Sequence, residues 1–411
     1  MEKILSYPKE KIKVLLLEGV HQSALDEFKK RGYNNIDYRK GALSEEELLE
    51  CIQQYHIIGI RSKTNLTQKV LAESKKLLAI GAFCIGTNQI DLNEATTQGI
   101  AVFNSPYSNT RSVAELIIAN SIMLLRRIPE RSKYAHQGKW LKDAVRSHEL
   151  RGKTIGIIGY GHIGTQVSIM AESMGLKVIY YDIEPKMPLG NAKQVDSLES
   201  LLSTADIVTL HVPATPLTNL MIRKEQFELM KNEVIFQNLS RGTVVDIDAL
   251  KDAVISGKVG GAAVDVFPEE PKSKGGLFTS PLQGLENVIL TPHIGGSTQE
   301  AQETIGGEVA AKLISFLDEG TTLGSRTIPE LSLPKQADTK RILHIHKNVP
   351  GILSQLNQKL SVLNMNITGQ YLKTNPAIGY VVLDVQGEAT SEELSHALKD
   401  INETIKVRIL N

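Results

Sequence analysis

TIGIIGYGHIGTQ (154–166) decides the fold of this chain. Its glycines at 159, 161 and 164 have the GxGxxG spacing, behind a short apolar run and ahead of a helical pattern with Ile163, Val167, Met170 and Met174 on one face. Gly159 is expected to make the tight turn, Gly161 to let the backbone approach a pyrophosphate, and Gly164 to let helix and strand pack closely. The helix that follows points free N–H groups at the anion. Eighteen residues beyond Gly164, Asp182 ends the next strand candidate, VIYYD. An acid there accepts hydrogen bonds from ribose hydroxyls and repels a 2′-phosphate, so the expected cofactor is NAD rather than NADP.

Around this motif, strand candidates recur through TIGIIG, KVIYYD, DIVTLHV, VIFQNLS, GAAVDVF and NVILTPH. Six strands with intervening helices predict a doubly wound, Rossmann-type domain. A second alternating series precedes it in KVLLLE (13–18), IIGIRS (57–62), LLAIGAF (77–83) and IAVFN (100–104), with a helix over 21–32 and another opening at Ser44 with early acids. Alternation of this kind predicts a parallel sheet. The stretch RSVAELIIANSIMLLRRI (111–128) is apolar on nearly every side and should be a buried helix. The helical stretch 298–320 is expected to pack back on the first domain, making it discontinuous. Beyond Pro329 and Pro334, RILHIHK, PGILSQLNQKLSVLN, ITGQYLKT, IGYVVLDVQG, SEELSHALKDI and TIKVRIL read as βαββαβ, the ferredoxin-like order. The overall class is α/β: a flavodoxin-like discontinuous domain over 1–107 and 297–325, a dinucleotide-binding domain over 108–296, a linker over 326–340 and a ferredoxin-like unit over 341–411.

A chain of 411 residues exceeds one ordinary core. With 41% apolar and 22% charged residues it has a globular composition. Forty-six basic residues balance forty-six acidic ones, so no overall field draws it to nucleic acid or an anionic membrane. Cys51 and Cys84 are the two cysteines, without metal-ligand spacing, which suits a reducing cytosol and leaves no expected metal. The first residues lack a signal peptide's apolar region, and no stretch approaches the length of a membrane span. A cytoplasmic location is expected.

Three late segments place a functional side chain after an apolar run and beside Gly or Pro: NLSRGTVVD (238–246), AVDVFPEEP (263–271) and LTPHIGGST (290–298). Hydride transfer from an alcohol to NAD needs a group that moves the hydroxyl proton and a partner that tunes it, and an acidic substrate also needs a cation for its carboxylate. Arg241, His293 and Glu270 supply these types, with Glu269 an equal rival of Glu270 on spacing alone. An imidazole titrates near neutrality, and a carboxylate beside it raises that value. His136, His148, His162 and His211 are read as non-catalytic, with His162 and His211 near the cofactor.

GYGHIGTQ, NLSRGTVVD, GAAVDVFPEEP and ILTPHIGGSTQEAQE together resemble the D-isomer-specific 2-hydroxyacid dehydrogenases, in the family's order. That resemblance implies Arg241, Glu270 and His293 as the catalytic trio and Asp265 beside the nicotinamide. It implies a cofactor pocket lined by Gly159, Gly161, His162, Ile163, Gly164, Asp182, His211, Leu239, Ser240, Arg241, Asp265, His293, Ile294, Gly295 and Gly296. LEGVHQ, GIRSKTNLT, IGAFCIGTNQIDL and FNSPYSNTRSVAELI look like the branch of the family that acts on 3-phosphoglycerate. They imply substrate contacts from Arg61, Ser62, Gly86 and Asn109, with Lys142 a further phosphate contact. Some relatives also reduce 2-oxoglutarate to 2-hydroxyglutarate.

The C-terminal unit resembles an ACT regulatory domain, with HIHKNVPG and NMNITGQY matching serine-binding segments. His346, Asn348 and Asn366 are then the expected effector contacts, and a serine-inhibited homotetramer is implied. A glycine pair found in the linker of some relatives is absent from LPKQADTKR. The rival expectations are another D-2-hydroxyacid dehydrogenase and a non-catalytic NAD-sensing regulator.

Overall fold

The computed structural model describes residues 8–271, 275–334 and 336–410. The chain divides into two compact units, Asn109–Ala301 and the remainder.

In the first part of the remainder, β1 (Val14–Leu16), β2 (Ile36–Tyr38), β3 (Ile57–Ile60), β4 (Ala79–Ala82) and β5 (Ala101–Asn104) form a parallel sheet in the order β2-β1-β3-β4-β5. That is the flavodoxin-like order. The four expected strands are present. β2 joins them as a short edge strand whose three residues are all at least partly exposed, so it lacks the apolar run that marks the others. Ser44 caps the helix Glu45–Cys51 in a reciprocal box with Glu47, as its early acids implied. From Gln302 onward the helix Gln299–Glu319 closes over this sheet. Ile305, Val309, Leu313 and Phe316 share a core with Val14, Leu16, Phe28 and Phe103. Gly81 permits that approach, because a Cβ there would lie 2.8 Å from Leu313.

The unit Asn109–Ala301 holds β6 (Thr154–Ile158), β7 (Lys177–Tyr181), β8 (Lys193–Gln194), β9 (Ile207–Leu210), β10 (Val234–Asn238), β11 (Val259–Val264) and β12 (Val288–Leu290). They pair in parallel in the order β12-β11-β10-β9-β6-β7-β8. This is the doubly wound order, with the reversal between β6 and β9. Six strands match the sequence reading. The seventh, β8, is two exposed residues and carries no apolar signal. The helix Thr110–Leu125 buries Val113, Ala114, Ile117, Leu124 and Leu125 in a core shared with Val167 and Ala171 of the glycine-motif helix.

The antiparallel sheet of β13 (Lys340–Lys347), β14 (Asn366–Thr374), β15 (Ile378–Gln386) and β16 (Thr404–Leu410) has the order β14-β15-β13-β16, as a ferredoxin-like unit requires. The helices Ile352–Val362 and Ser391–Lys399 cover one face through Leu356, Leu360, Leu394 and Leu398. The other face joins the first core through Leu343, Ile345, Tyr380 and Val382. On that face Arg341 and Asp384 form an almost fully buried bidentate pair at 2.7 and 2.8 Å. The remaining guanidinium hydrogens go to the carbonyls of Glu319, Leu333 and Pro334, so the pair fastens the sheet to the preceding linker.

Among the described residues no helix is long and apolar enough to cross a membrane.

Candidate active site

The turn after β6 is built by contacts that only glycine allows. Gly159 sits at φ +92°, and a Cβ there would meet the carbonyl of His211 at 2.5 Å. A Cβ on Gly164 would come within 2.3 Å of the Gly159 carbonyl. Gly161 faces open space, and the helix His162–Ser173 begins there without a side-chain cap. The backbone is therefore free for an anion at the helix N-terminus. Asp182 accepts from the Tyr160 N–H at 2.8 Å and the Glu184 N–H at 3.0 Å, which ties the glycine turn to the end of β7.

Across the sheet's reversal stands His211. Its Nε2 lies 3.1 Å from Thr209 Oγ1, and its buried Nδ1 has no partner. Burial lowers this imidazole to about 3, so it stays neutral. An uncapped helix, an open glycine and an unpaired buried nitrogen fit a dinucleotide.

Glu270 and His293 meet on the loops after β11 and β12. Nδ1 of His293 donates to Glu270 Oε2 at 2.8 Å, and Glu270 Oε1 accepts from the Phe267 N–H at 3.1 Å. These two bonds separate Glu270 from Glu269. The His293 side chain remains 52% exposed, and the Glu270 contact leaves its Nε2 for a substrate. The hydrogen bond that His293 donates to Glu270 raises the imidazole above its ordinary value against an opposing contribution from burial. Burial pushes the Glu270 carboxyl up, but hydrogen bonds from His293 and Phe267 outweigh it and leave the carboxyl below the usual range. Arg241 is near enough for its charge to lower both groups.

His293 holds a left-handed backbone at φ +55°. Asp265 fixes it: the Asp265 carbonyl accepts the His293 N–H at 2.8 Å, and its carboxylate accepts from Ile294 N, Gly295 N and Thr291 Oγ1. Local strain of this kind persists where surroundings over-determine it.

Several positioning residues escaped the sequence reading. Asn238 accepts from Ser240 N and Oγ and donates to the Arg241 carbonyl, which shapes the loop after β10. Gly242 seats this loop against the next one, because a Cβ there would fall 2.0 Å from the Phe267 carbonyl carbon. Asn238 and Gly242 lie inside the quoted motifs, but their role needs three dimensions. Thr291 acts similarly on Asp265.

Leu239, Ser240 and Gly295 are buried, whereas His162 and Ile294 are exposed, Ile163 is half-buried and Gly296 touches Asn109. The Asn109 side-chain oxygen is buried without a partner. Lys142 is exposed.

In the other unit, Arg61 and Ser62 follow β3 on a loop held by Glu18. The Glu18 carboxylate accepts from the N–H groups of Arg61, Lys63 and Thr64. Gln89 Nε2 donates to the Arg61 carbonyl at 2.6 Å, and Cys84 Sγ donates to the Gly86 carbonyl at 3.2 Å. Glu18 lies in the quoted LEGVHQ, but no pattern in that stretch reveals its three amides. In the antiparallel sheet, His346 is buried, with its ring against Gly379. Asn348 donates to the Asn375 carbonyl, and Asn366 opens β14 exposed.

A doubly wound sheet with a carboxylate–imidazole pair and a guanidinium beside it defines an NAD-dependent dehydrogenase. The model of the D-isomer specific 2-hydroxyacid dehydrogenase NAD binding domain matches residues 118–295, and that of the AHAS small subunit-like ACT domain matches residues 342–406. D-3-phosphoglycerate dehydrogenase of Haemophilus influenzae is 56% identical over 98% of both chains, and that of Escherichia coli is 53% identical over 98% of this chain and 99% of its own. The structure of Aquifex aeolicus D-lactate dehydrogenase complexed with NAD and lactic acid is 28% identical, covers 77% of this chain and all of its own, and superimposes with a TM-score of 0.68. The chain belongs to the D-isomer-specific 2-hydroxyacid dehydrogenase family.

Proposed function

We propose that this chain oxidises 3-phospho-D-glycerate to 3-phosphohydroxypyruvate, the opening step of L-serine biosynthesis. The observation that carries it is the 2.8 Å pairing of His293 with Glu270 beside Arg241. NAD, when bound, supplies the acceptor for the substrate's hydride. His293 Nε2 takes the hydroxyl proton, and the Glu270 carboxylate on Nδ1 favours the imidazolium that results. Arg241 grips the substrate carboxylate in a bidentate fork and polarises the forming carbonyl. Gly159, Gly161, Gly164, Asp182 and His211 hold the dinucleotide, and Asp265 positions the His293 loop.

Arg61, Ser62, Gly86 and Asn109 are proposed to approach the phosphorylated substrate, with Lys142 a further phosphate contact. Two charge-assisted contacts of about 1.5–3 kcal/mol each make 3-phosphoglycerate better than D-glycerate by roughly a hundredfold or more in kcat/KM. Following NADH absorbance with the two substrates tests this. Equal efficiency would remove the phosphate site, and no turnover of either would favour a non-catalytic NAD sensor. Reduction of 2-oxoglutarate is proposed as a second activity of the same site.

L-Serine is the proposed effector, through His346, Asn348 and Asn366. The ACT match and the exposed edge strand β14, open to pairing with another copy, support this and a homotetramer. Titrating serine against the parent and Asn366→Ala checks it, with binding expected in the first and weakened in the second. The proposed domain limits are 1–107 with 297–325, 108–296, and 341–411, and the proposed location is the cytoplasm.

A further inference from the structure

Strand β16 and the helix Ser391–Lys399 on one side, and the Lys75–Leu78 turn and the end of the helix Gln299–Glu319 on the other, enclose a cleft of 940 Å³. It contains none of the residues assigned above to NAD, substrate or serine. Lys75, Lys76, Lys399, Lys406 and Arg408 line it, against the two carboxylates Asp318 and Glu392. Asp318 is already engaged, accepting from Lys9 at 2.8 Å and from the Tyr33 hydroxyl at 2.6 Å.

The two innermost cations are satisfied as hydrogen-bond donors but not as charges. Lys406 Nζ donates to the Leu77 carbonyl at 2.7 Å. Arg408 donates to the carbonyls of Phe316 and Leu317 and lies 5.3 Å over the Phe316 ring. Among the described residues none of the five cations has a carboxylate within ion-pair distance. Burial and the neighbouring Arg408 push the Lys406 ammonium down to about 7. His56, on the same wall, is lowered by burial and by Lys76, Lys13 and Arg408. The cleft is therefore a positive concavity in which the Asp318 carboxylate, already shared with Lys9 and Tyr33, only partly offsets the charge of Arg408. Uncompensated charge of this kind is costly in a low-dielectric wall, and a bound polyanion offsets it.

We propose that this cleft binds a small phosphate-bearing polyanion that bridges the antiparallel sheet and the first parallel sheet. Phosphate suits the donors, since the ammoniums act as point charges and the guanidinium as a fork. Ile12, Leu78 and Val407 on the same walls give an apolar body a place to lie. The ligand is an effector rather than a substrate, because none of the residues assigned to the dinucleotide or to the His293–Glu270 pair lines the cleft.

The test titrates inorganic pyrophosphate, and citrate in parallel, into the NAD-saturated full-length protein. The parent, Arg61→Ala, and the double variant Lys76→Glu with Lys399→Glu are compared. Both lysines are exposed, so their exchange leaves the fold and the basal turnover in place. The expected result is saturable pyrophosphate binding that survives Arg61→Ala, weakens tenfold or more in the double variant, and is stronger than citrate binding. Binding lost in Arg61→Ala, retained in the double variant, absent from the parent, or no tighter than for citrate would overturn the proposal.

Discussion

Two regions of the molecule concentrate charged and imidazole side chains, and they use them in opposite ways. After β11 and β12, Glu270 and His293 lie on loops, the imidazole half-exposed and satisfied on one nitrogen only. Inside the antiparallel sheet, Arg341, Asp384 and His344 lie within strands, almost wholly buried. Arg341 is saturated by a carboxylate and three carbonyls, while His344 Nε2 is bonded to Thr404. Burial keeps His344 neutral at about 3, whereas the Glu270 bond raises His293. A group left with an open valence at a strand end does chemistry; one closed off inside a sheet holds the fold.

Exchanges in the two regions should therefore fail differently. His293→Asn keeps a residue tolerant of the left-handed backbone and removes the imidazole. Turnover should fall by about 10²–10⁴-fold with the melting temperature nearly unchanged. A variant that kept its rate would break the comparison at once. Asp384→Ala leaves the Arg341 guanidinium buried and unpaired, at a cost of about 3–5 kcal/mol. Denaturant unfolding should register that loss, while the folded fraction keeps its turnover.

Smaller effects sharpen the contrast. Gly242→Ala pushes the Arg241 loop off the Phe267 backbone without touching a reacting group. A displacement of that order should lower kcat/KM by about a hundredfold, read in steady-state kinetics. Asp182→Ala should reduce the preference for NAD over NADP by roughly tenfold, the scale of one hydrogen bond to a charged group. Competition between the two cofactors measures it.

The parallel sheets were legible because buried strands such as β3 and β11 are continuous apolar runs. The edge strands β2 and β8 were not, since short exposed strands carry no such pattern. At the site, spacing supplied Arg241 and His293 but left Glu269 and Glu270 level. The resemblance pointed to Glu270, and the fold supplies the physical reason by bringing the Phe267 N–H and His293 Nδ1 to that one carboxylate. Glu18 stayed hidden because its partners are backbone amides more than forty positions away, which residue type does not encode. The resemblance made His346 in HIHKNVPG an effector contact, and strand alternation sets its ring against Gly379, a placement that residue type alone does not encode.

The pH dependence of oxidation in the parent and in Glu270→Gln tests the central pairing most directly. His293 must be neutral to accept the hydroxyl proton, so the rate is low in acid and rises as the imidazole loses its proton. With Glu270 raising that group, the parent's inflection should lie above that of an ordinary imidazole, and Glu270→Gln should move it to lower pH. An inflection that stays in place when the carboxylate is removed would contradict the account.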